Sequence, residues 1–143
     1  MSYNIERFIK AQEYSYAEAL KEIQNGHKES HWIWYIFPQL KQLGRSSTAQ
    51  YYGIENLEEA TEYLAHPILG FRLREICEAL LSIDRNNPYQ VMGGIDALKL
   101  RSSMTLFAEI EGYNSVFGKV LNKYYNGERD ENTIRLLQEN TEQ

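Results

Sequence analysis

The sequence has little of what marks disulfide-rich, metal-binding or membrane-spanning proteins. It contains one cysteine, Cys77, which cannot form an internal disulfide and is typical of a reducing compartment. The three histidines, His27, His31 and His66, lack metal-ligand spacing. The longest apolar run, residues 32–37, falls far short of the roughly 20 residues that a membrane-spanning helix requires. We therefore expect a cytoplasmic protein with no metal site and no membrane partner.

Basic charge is also scarce. The 15 Lys and Arg residues are outnumbered by 20 Asp and Glu residues, the net charge is −5, and no basic run occurs. Broad affinity for nucleic acid is therefore not expected. Hydrophobic residues make up 43% of the chain and charged residues 24%, close to the averages of globular proteins. Because no linker or repeat interrupts the sequence, we predict one domain over residues 1–143.

Helix signals dominate. Asn4 is a candidate cap for a first helix, and Ser15 with Glu18 forms a capping box for a helix that stops at Gly26. Asn56, Asn114 and Asp130 are further candidate caps. The remaining helices are expected at about 57–65, 67–83, 95–110, 115–125 and 131–140. We predict a mainly α fold, a single compact domain of about six to seven helices.

The central aromatic segment, residues 30–40, is the exception. It is rich in residues that favour strands, and it is apolar over 32–37. Periodicity does not distinguish a buried strand from a helix that is apolar all round. We favour a helix, and a short strand remains open.

Polar residues on apolar helix faces are the main functional signal. In 95–110, the residues Asp96, Lys99 and Ser103 follow i, i+3, i+7 spacing within an apolar arc that includes Ile95. An acid, an ammonium and a hydroxyl would therefore line one buried or cleft-facing strip. The residues predicted on the opposite, exposed side are Arg101, Ser102, Thr105 and Glu109.

Two more polar residues are predicted to point inward, Arg72 in the helix from Pro67 and Gln12 in the first helix. Buried charges require partners, so Arg72, Asp96 and Lys99 either form a structural network or contact a ligand. Taken one at a time, these residues favour the network. As a set, they are equally consistent with a polar pocket for a small anionic or amide-bearing molecule.

Two other segments could contribute to such a pocket. Trp32, Trp34 and Tyr52 could stack a planar base, although core packing is the more frequent role of large aromatics. Arg45, within residues 44–47, lies beside glycine and serines that could cradle a phosphate, although a helix cap explains the serines equally well. His31 opens the aromatic segment and is a candidate proton donor.

Four segments together resemble a bacterial family known as domain of unknown function 1810, whose members are often labelled calpastatin. They are HWIWYIFPQ at 31–39, LGRS at 43–46, HPILGFRL at 66–73 and DALKLRSSMTLF at 96–107. The resemblance covers nearly the whole chain and implies a small, mainly helical, stand-alone cytoplasmic protein. It implies no established activity, and nothing in the chain is similar to a disordered protease-inhibitor repeat.

A distant likeness to YbiA-like NADAR proteins implies a substrate related to ADP-ribose or another N-glycoside. The glutamate–lysine motif of that family has no counterpart here, so its catalytic residues do not transfer. The hypothesis is a site for a nucleotide-like or ADP-ribose-like ligand, with or without catalysis. Asp96 would be general base or oxocarbenium stabiliser and His31 proton donor, and the ligand-binding set is Gln12, Trp32, Trp34, Arg45, Tyr52, Arg72, Lys99 and Ser103.

The alternative is a helical interaction module without catalysis. In it, the inward polar residues form a structural network, and the aromatic segment contacts a protein partner or a second copy of the chain. Self-association is therefore a second expectation.

Overall fold

A computed structural model describes residues 3–141, and helices account for nearly all of its regular structure. Nine α-helices occur in this range, six of them longer than six residues. They are α1 (Glu6–Gln24), α2 (Ile33–Ile36), α3 (Ser47–Tyr52), α4 (Leu57–Ala65), α5 (Pro67–Ser82), α6 (Pro88–Met92), α7 (Gly94–Glu111), α8 (Val116–Tyr125) and α9 (Glu131–Thr141), with a 3-10 helix at Lys41–Leu43. The prediction of a mainly α fold is confirmed.

Helices α5 and α7 organise the core. Helix α5 packs against α1, α4 and α8, while α7 packs against α4, α6, α8 and α9. The buried apolar side chains of all these helices form one continuous cluster. None of the helices within residues 3–141 combines the length and apolar character that crossing a membrane requires.

The first helix differs from its prediction. Ser15 and Glu18 lie inside the continuous helix α1 and open no second helix. Ser15 Oγ instead accepts a hydrogen bond from Tyr35, and Glu18 accepts one from Ser30. The capping-box prediction is wrong because both side chains reach another segment, not the backbone of their own turn. Asn4 also provides no side-chain cap, since α1 is preceded by Ile5.

Other caps follow the sequence. Asn56 accepts a hydrogen bond from Glu59 N at 3.0 Å, and Asp130 accepts one from Thr133 N at 3.0 Å. Asn114 is the exception, because helix α8 is preceded by Ser115 and has no side-chain cap.

The central aromatic segment is neither an extended strand nor a long helix. It forms a single helical turn, α2, and then an irregular stretch that ends in an isolated parallel bridge between Leu40 and Ile54. Ile54 N donates to Gln39 O at 2.9 Å, and Lys41 N donates to Ile54 O at 2.8 Å. The segment thereby lies beside α3 and α7.

Candidate functional site

Helix α7 carries the predicted polar strip, but its two halves lie in different surroundings. In the first half, Ile95 is 73% exposed and Leu98 is 52% exposed. In the second half, every residue over 102–108 is buried, including Ser102 and Thr105. The wheel prediction is wrong for Ile95, Ser102 and Thr105. Packing against α4, α8 and α9 surrounds the second half of the helix, so the predicted solvent side is buried there.

Asp96 lies between two lysines at the start of α7. Its Oδ2 is 2.8 Å from Lys28 Nζ, and its Oδ1 is 3.8 Å from Lys99 Nζ. The Lys28 side chain is only 5% exposed, and its ammonium lies 4.8 Å from the centre of the Trp32 ring. Lys28 is therefore the main partner of Asp96. Local spacing does not indicate this pair, because the loop containing Lys28 is distant from Asp96 along the chain.

Glu22 fixes the loop that carries Lys28. It accepts hydrogen bonds from Glu29 N at 2.8 Å, Ser30 N at 3.0 Å and Trp32 Nε1 at 2.9 Å. Burial by itself would raise the pKa of Glu22, but these bonds and one from the Ser30 hydroxyl lower the pKa to about 2. Trp32 is thereby held in the core, where its side chain is almost fully buried.

Lys99 lies beside a narrow space that we call the aromatic slot. Its Nζ is 5.3 Å from the centre of the Trp34 ring, within the range of a cation–π interaction. The slot has a volume of about 10 Å³, close to the smallest space that holds one water molecule. It is lined by Ile33, Trp34, Phe37, Gln39, Ala49, Tyr52, Gly53 and Lys99.

A larger opening, which we call the α7 cleft, adjoins the slot. Its volume is about 340 Å³, at the lower end of the range for small-molecule sites. Gln39 and Lys99 line both spaces. The α7 cleft is lined by Gln39, Leu43, Ile95, Leu98, Lys99, Arg101, Ser102, Asp130 and Asn132.

Arg101 contributes the second cation of the α7 cleft. Its Nε is buried and has no hydrogen-bond partner in the part of the chain that the structure describes. Its terminal nitrogens approach Glu128 and Asp130 only to 3.9 Å, which is too long for a hydrogen bond. Sequence reasoning missed Arg101, because the helical wheel placed it on the solvent side and its acidic neighbours lie in the loop before α9.

Ser102, predicted to be exposed, and Ser103, predicted to line the strip, are both buried. The Ser102 hydroxyl lies 2.6 Å from Gln39 Oε1 and 2.9 Å from Lys99 O and shares its one proton between them, so it supports both residues shared by the slot and the cleft. Ser103 is fully buried, and its hydroxyl has no partner among the described residues. Ser103 does not line the α7 cleft.

Gln12 and Arg72 form a separate group between α1 and α5. Gln12 Nε2 donates to Tyr35 O at 2.8 Å and to Tyr63 Oη at 2.9 Å. Arg72 donates to Gln12 Oε1 at 3.4 Å, and its guanidinium lies 5.1 Å from the centre of the Tyr16 ring. Neither residue lines the slot or the α7 cleft. This half of the predicted set therefore fits the structural network.

A buried ion pair joins α1 to α4. Arg7 bonds to Glu59 Oε2 at 2.8 Å, to Tyr51 O at 2.8 Å and to Gly53 O at 2.9 Å. Arg7 and Glu59 are both almost fully buried. A cleft of about 600 Å³ lies over this pair, but the bonds already made occupy the guanidinium on three sides. Sequence reasoning missed Arg7, since it falls on the polar side of the α1 wheel.

The other candidates are dispersed. His31 is exposed, and no hydrogen bond to its ring occurs within residues 3–141. Arg45 is exposed, while Ser46 beside it accepts a hydrogen bond from Ala49 N at 3.1 Å and caps α3. Tyr52 lines the aromatic slot. Burial raises the pKa of the Cys77 thiol.

Metal-ligating side chains are not grouped in the described part of the chain. Over residues 3–141, no three His, Cys, Asp or Glu residues lie close enough together to hold a metal ion.

Comparison of the sequence with known protein families gives a match. The sequence profile of the family described as "Protein of unknown function (DUF1810)" matches residues 2–137. The chain belongs to this family. The resemblance inferred from the four sequence segments is thereby confirmed.

One solved structure matches in fold as well as in sequence. It is the crystal structure of the conserved hypothetical protein Rv1873 from Mycobacterium tuberculosis. The two chains are 42% identical, with a TM-score of 0.92, and the match covers 95% of this chain and 97% of that one. Comparison with curated proteins gives no match.

Proposed function

We propose that this DUF1810 protein binds a small anionic molecule in the α7 cleft, through Lys99 and Arg101. The observation that carries the proposal is the Arg101 guanidinium, which is partly buried in the cleft wall with an unbonded Nε. Buried polar groups in native proteins nearly always have partners. A bound anion would supply acceptors to the terminal nitrogens of the same guanidinium, whose nearest carboxylates stand at 3.9 Å.

The charges around the cleft support an anionic ligand. Asp96 is already paired closely with Lys28, so its hold on Lys99 at 3.8 Å is weak. Asp130 accepts bonds from both the amide and the hydroxyl of Thr133, and it thereby serves as the cap of α9. Glu128, which is largely exposed, approaches Arg101 only to 3.9 Å, so none of the three carboxylates makes a close ion pair with the two cations of the cleft. Both cations can therefore turn toward a phosphate or carboxylate group.

The ligand classes expected from the sequence remain nucleotide-like and ADP-ribose-like molecules. Leu43, Ile95 and Leu98 line the α7 cleft beside its cations and would contact the apolar part of such a ligand. The expected location is the cytoplasm, where these molecules are abundant.

Binding is better supported than catalysis. Asp96, the proposed base, has its carboxylate between two ammonium groups. His31, the proposed proton donor, lines neither the α7 cleft nor the slot. If the protein does process an N-glycoside, Asp96→Asn should abolish turnover of ADP-ribose or NAD in a product assay without lowering ligand affinity.

Thermal shift with purified protein tests the binding proposal. Pyrophosphate, AMP, ADP-ribose and NAD are the probes. A ligand at about 100 times its Kd adds roughly 2.7 kcal/mol of stability, which corresponds to a midpoint increase of roughly 5 to 10 °C for a domain of this size. We expect Arg101→Ala to abolish the increase, because it removes the unbonded guanidinium.

The matched control is Lys119→Ala, which removes one positive charge from an exposed position of α8 outside the cleft. It should leave the shift unchanged. Equal shifts in the wild type and in Arg101→Ala would contradict the proposed site, and the absence of a shift with every probe would contradict the ligand class.

A second candidate function is an interaction module, which the exposed Ile95 and Leu98 favour. Both apolar side chains border the α7 cleft, so a protein partner or a second copy could cover them. Light scattering during size-exclusion chromatography tests self-association. A dimer in the wild type that becomes monomeric in Ile95→Ser/Leu98→Ser would support this candidate, and a monomer at all concentrations would contradict self-association.

A further inference from the structure

We propose that the aromatic slot and the α7 cleft are two halves of one binding site, which takes an anion attached to a planar aromatic ring. The ring lies against Trp34, and the anion lies at Lys99 and Arg101. This inference rests on the proposed function, and it adds where the ring of such a ligand binds and which side chain moves to admit it.

The two spaces are contiguous. Gln39 and Lys99 line both, and Ser102 bonds to the Gln39 side chain and to the Lys99 carbonyl. The Ser102 hydroxyl lies 2.6 Å from Gln39 Oε1 and thereby holds the Gln39 side chain at the boundary between the two spaces. A molecule that entered the α7 cleft would therefore meet the slot at these two residues.

With Lys99 in place the slot, at about 10 Å³, is too small for a ring, but its walls are those that a flat ring requires once Lys99 moves. Trp34 and Tyr52 contribute aromatic faces, while Ile33 and Ala49 contribute apolar surface. Tyr52 is fixed by its neighbours, with ring centres 5.2 Å from Tyr35 and 4.8 Å from Tyr51. The ring of Trp34 is only half-buried. Its face is occupied by the Lys99 ammonium, as a stacked ligand would occupy it.

Lys99 acts as a movable partition between the halves. Its ion pair with Asp96 is long at 3.8 Å, and Asp96 retains Lys28 at 2.8 Å when Lys99 leaves. When Lys99 moves, the Asp96 carboxylate therefore keeps an ion-pair partner. When the ammonium turns to an anion in the α7 cleft, the Trp34 face is released, and one rearrangement completes both halves of the site.

Calorimetric titration with matched ligands tests this arrangement. AMP carries an anion and a ring, ribose 5-phosphate carries the anion without the ring, and adenosine carries the ring without the anion. We expect AMP to bind about tenfold or more tightly than ribose 5-phosphate, as base stacking on an aromatic side chain typically contributes. Trp34→Leu should reduce AMP to the affinity of ribose 5-phosphate and leave the latter unchanged.

The position of Lys99 between the two halves predicts that one substitution changes the affinities for two ligands in opposite directions. Lys99→Ala should weaken AMP, because a cation is lost, and strengthen adenosine, because the slot is opened. Tyr14→Leu is the control, since Tyr14 is an exposed aromatic residue outside both spaces, and it should change neither affinity. If Trp34→Leu does not fold, tryptophan fluorescence gives the same information. AMP should quench the fluorescence of Trp34, ribose 5-phosphate should not, and the quenching should be absent in Trp34→Phe.

The outcomes separate this inference from the proposed function. Equal affinities for AMP and ribose 5-phosphate, both lost in Arg101→Ala, would overturn the two-part site and leave the anion site standing. Loss of ribose 5-phosphate binding in Trp34→Leu would also overturn it, because the halves would not be separable. Failure of all three ligands to bind would overturn both proposals.

Discussion

Two arginines show how differently the same side chain is used in this fold. Arg7 is buried between α1 and α4, and each of its nitrogens donates a hydrogen bond at 2.9 Å or less. Arg101 is partly buried between α7 and the loop before α9, and its nearest carboxylates stand 3.9 Å away. The first guanidinium is fully used by the protein, whereas the second retains donors for another molecule.

The contrast extends to the groups around each arginine. Glu59 accepts both from Arg7 and from the amide of Glu55, so it too is satisfied internally. Around Arg101, by contrast, the cation of Lys99 lies at the same cleft and adds to the positive charge. A buried ion pair of the first kind specifies structure, and a cluster of incompletely paired cations at a cleft indicates a site.

Removal of Arg7 should give the largest effect on stability. In Arg7→Met, Glu59 stays buried without its partner, and we expect a loss of about 3 to 5 kcal/mol in the free energy of unfolding. Urea denaturation measures it. Arg7→Met/Glu59→Leu should recover part of the loss, because the stranded carboxylate is removed as well.

Arg135→Met is the matched control, since Arg135 is exposed and its partners among the described residues, Asn132 and Glu139, belong to its own helix. It should cost less than about 0.5 kcal/mol. A small effect of Arg7→Met, similar to that of the control, would remove the distinction between the two arginines.

Sequence reasoning recovered the fold better than the site, for a physical reason. Helix caps such as Asn56 and Asp130 act within a few residues, so local spacing is enough to find them. Lys28, Arg7 and Arg101 owe their surroundings to segments far away along the chain, which a helical wheel does not represent. The wheel did place Asp96 and Lys99 on one face of α7, where their charged groups lie 3.8 Å apart, because the start of α7 has one face toward the protein and one toward solvent.

The aromatic segment shows the same limit. Its composition is equally suited to a strand and to a helix, and its surroundings include a distant residue, Glu22 on α1, which bonds to the chain just before the helical turn. Trp32 and Trp34 differ by two positions, yet Trp32 is enclosed in the core by its bond to Glu22, while Trp34 lines the slot. No property of the segment itself distinguishes the two rings.

Glu22 is a carboxylate whose hydrogen bonds are all made within the protein, as those of Arg7 are. Its lowered pKa predicts a contribution to stability that is lost in acid. Above its ordinary pKa of 4.5, Glu22 is ionised in both the folded and unfolded protein, and the contribution is complete. As the pH falls from about 4.5 toward the folded-state pKa of about 2, the unfolded chain takes up the proton first and the contribution is lost.

Glu22→Gln should therefore lower stability by about 2 kcal/mol at neutral pH, a typical value for hydrogen bonds to a charged group. The difference between wild type and variant should shrink as the pH is lowered to about 2 in a series of urea titrations. Glu58→Gln, at an exposed position of α4, is the control and should show no such convergence. A constant difference at every pH would contradict the assigned role of Glu22.

The smallest effects should come from Ser102 and Ser103, adjacent hydroxyls that repeat the contrast of the two arginines. Ser102→Ala removes bonds to Gln39 and to the Lys99 carbonyl, so we expect a loss of about 1 kcal/mol. Ser103→Ala removes a buried hydroxyl without a partner, which should leave stability unchanged or raise it by up to about 1 kcal/mol. Urea denaturation of both variants measures the pair. A larger loss for Ser103→Ala than for Ser102→Ala would show that Ser103 has the more important partner, and the strip of α7 would then extend into the core.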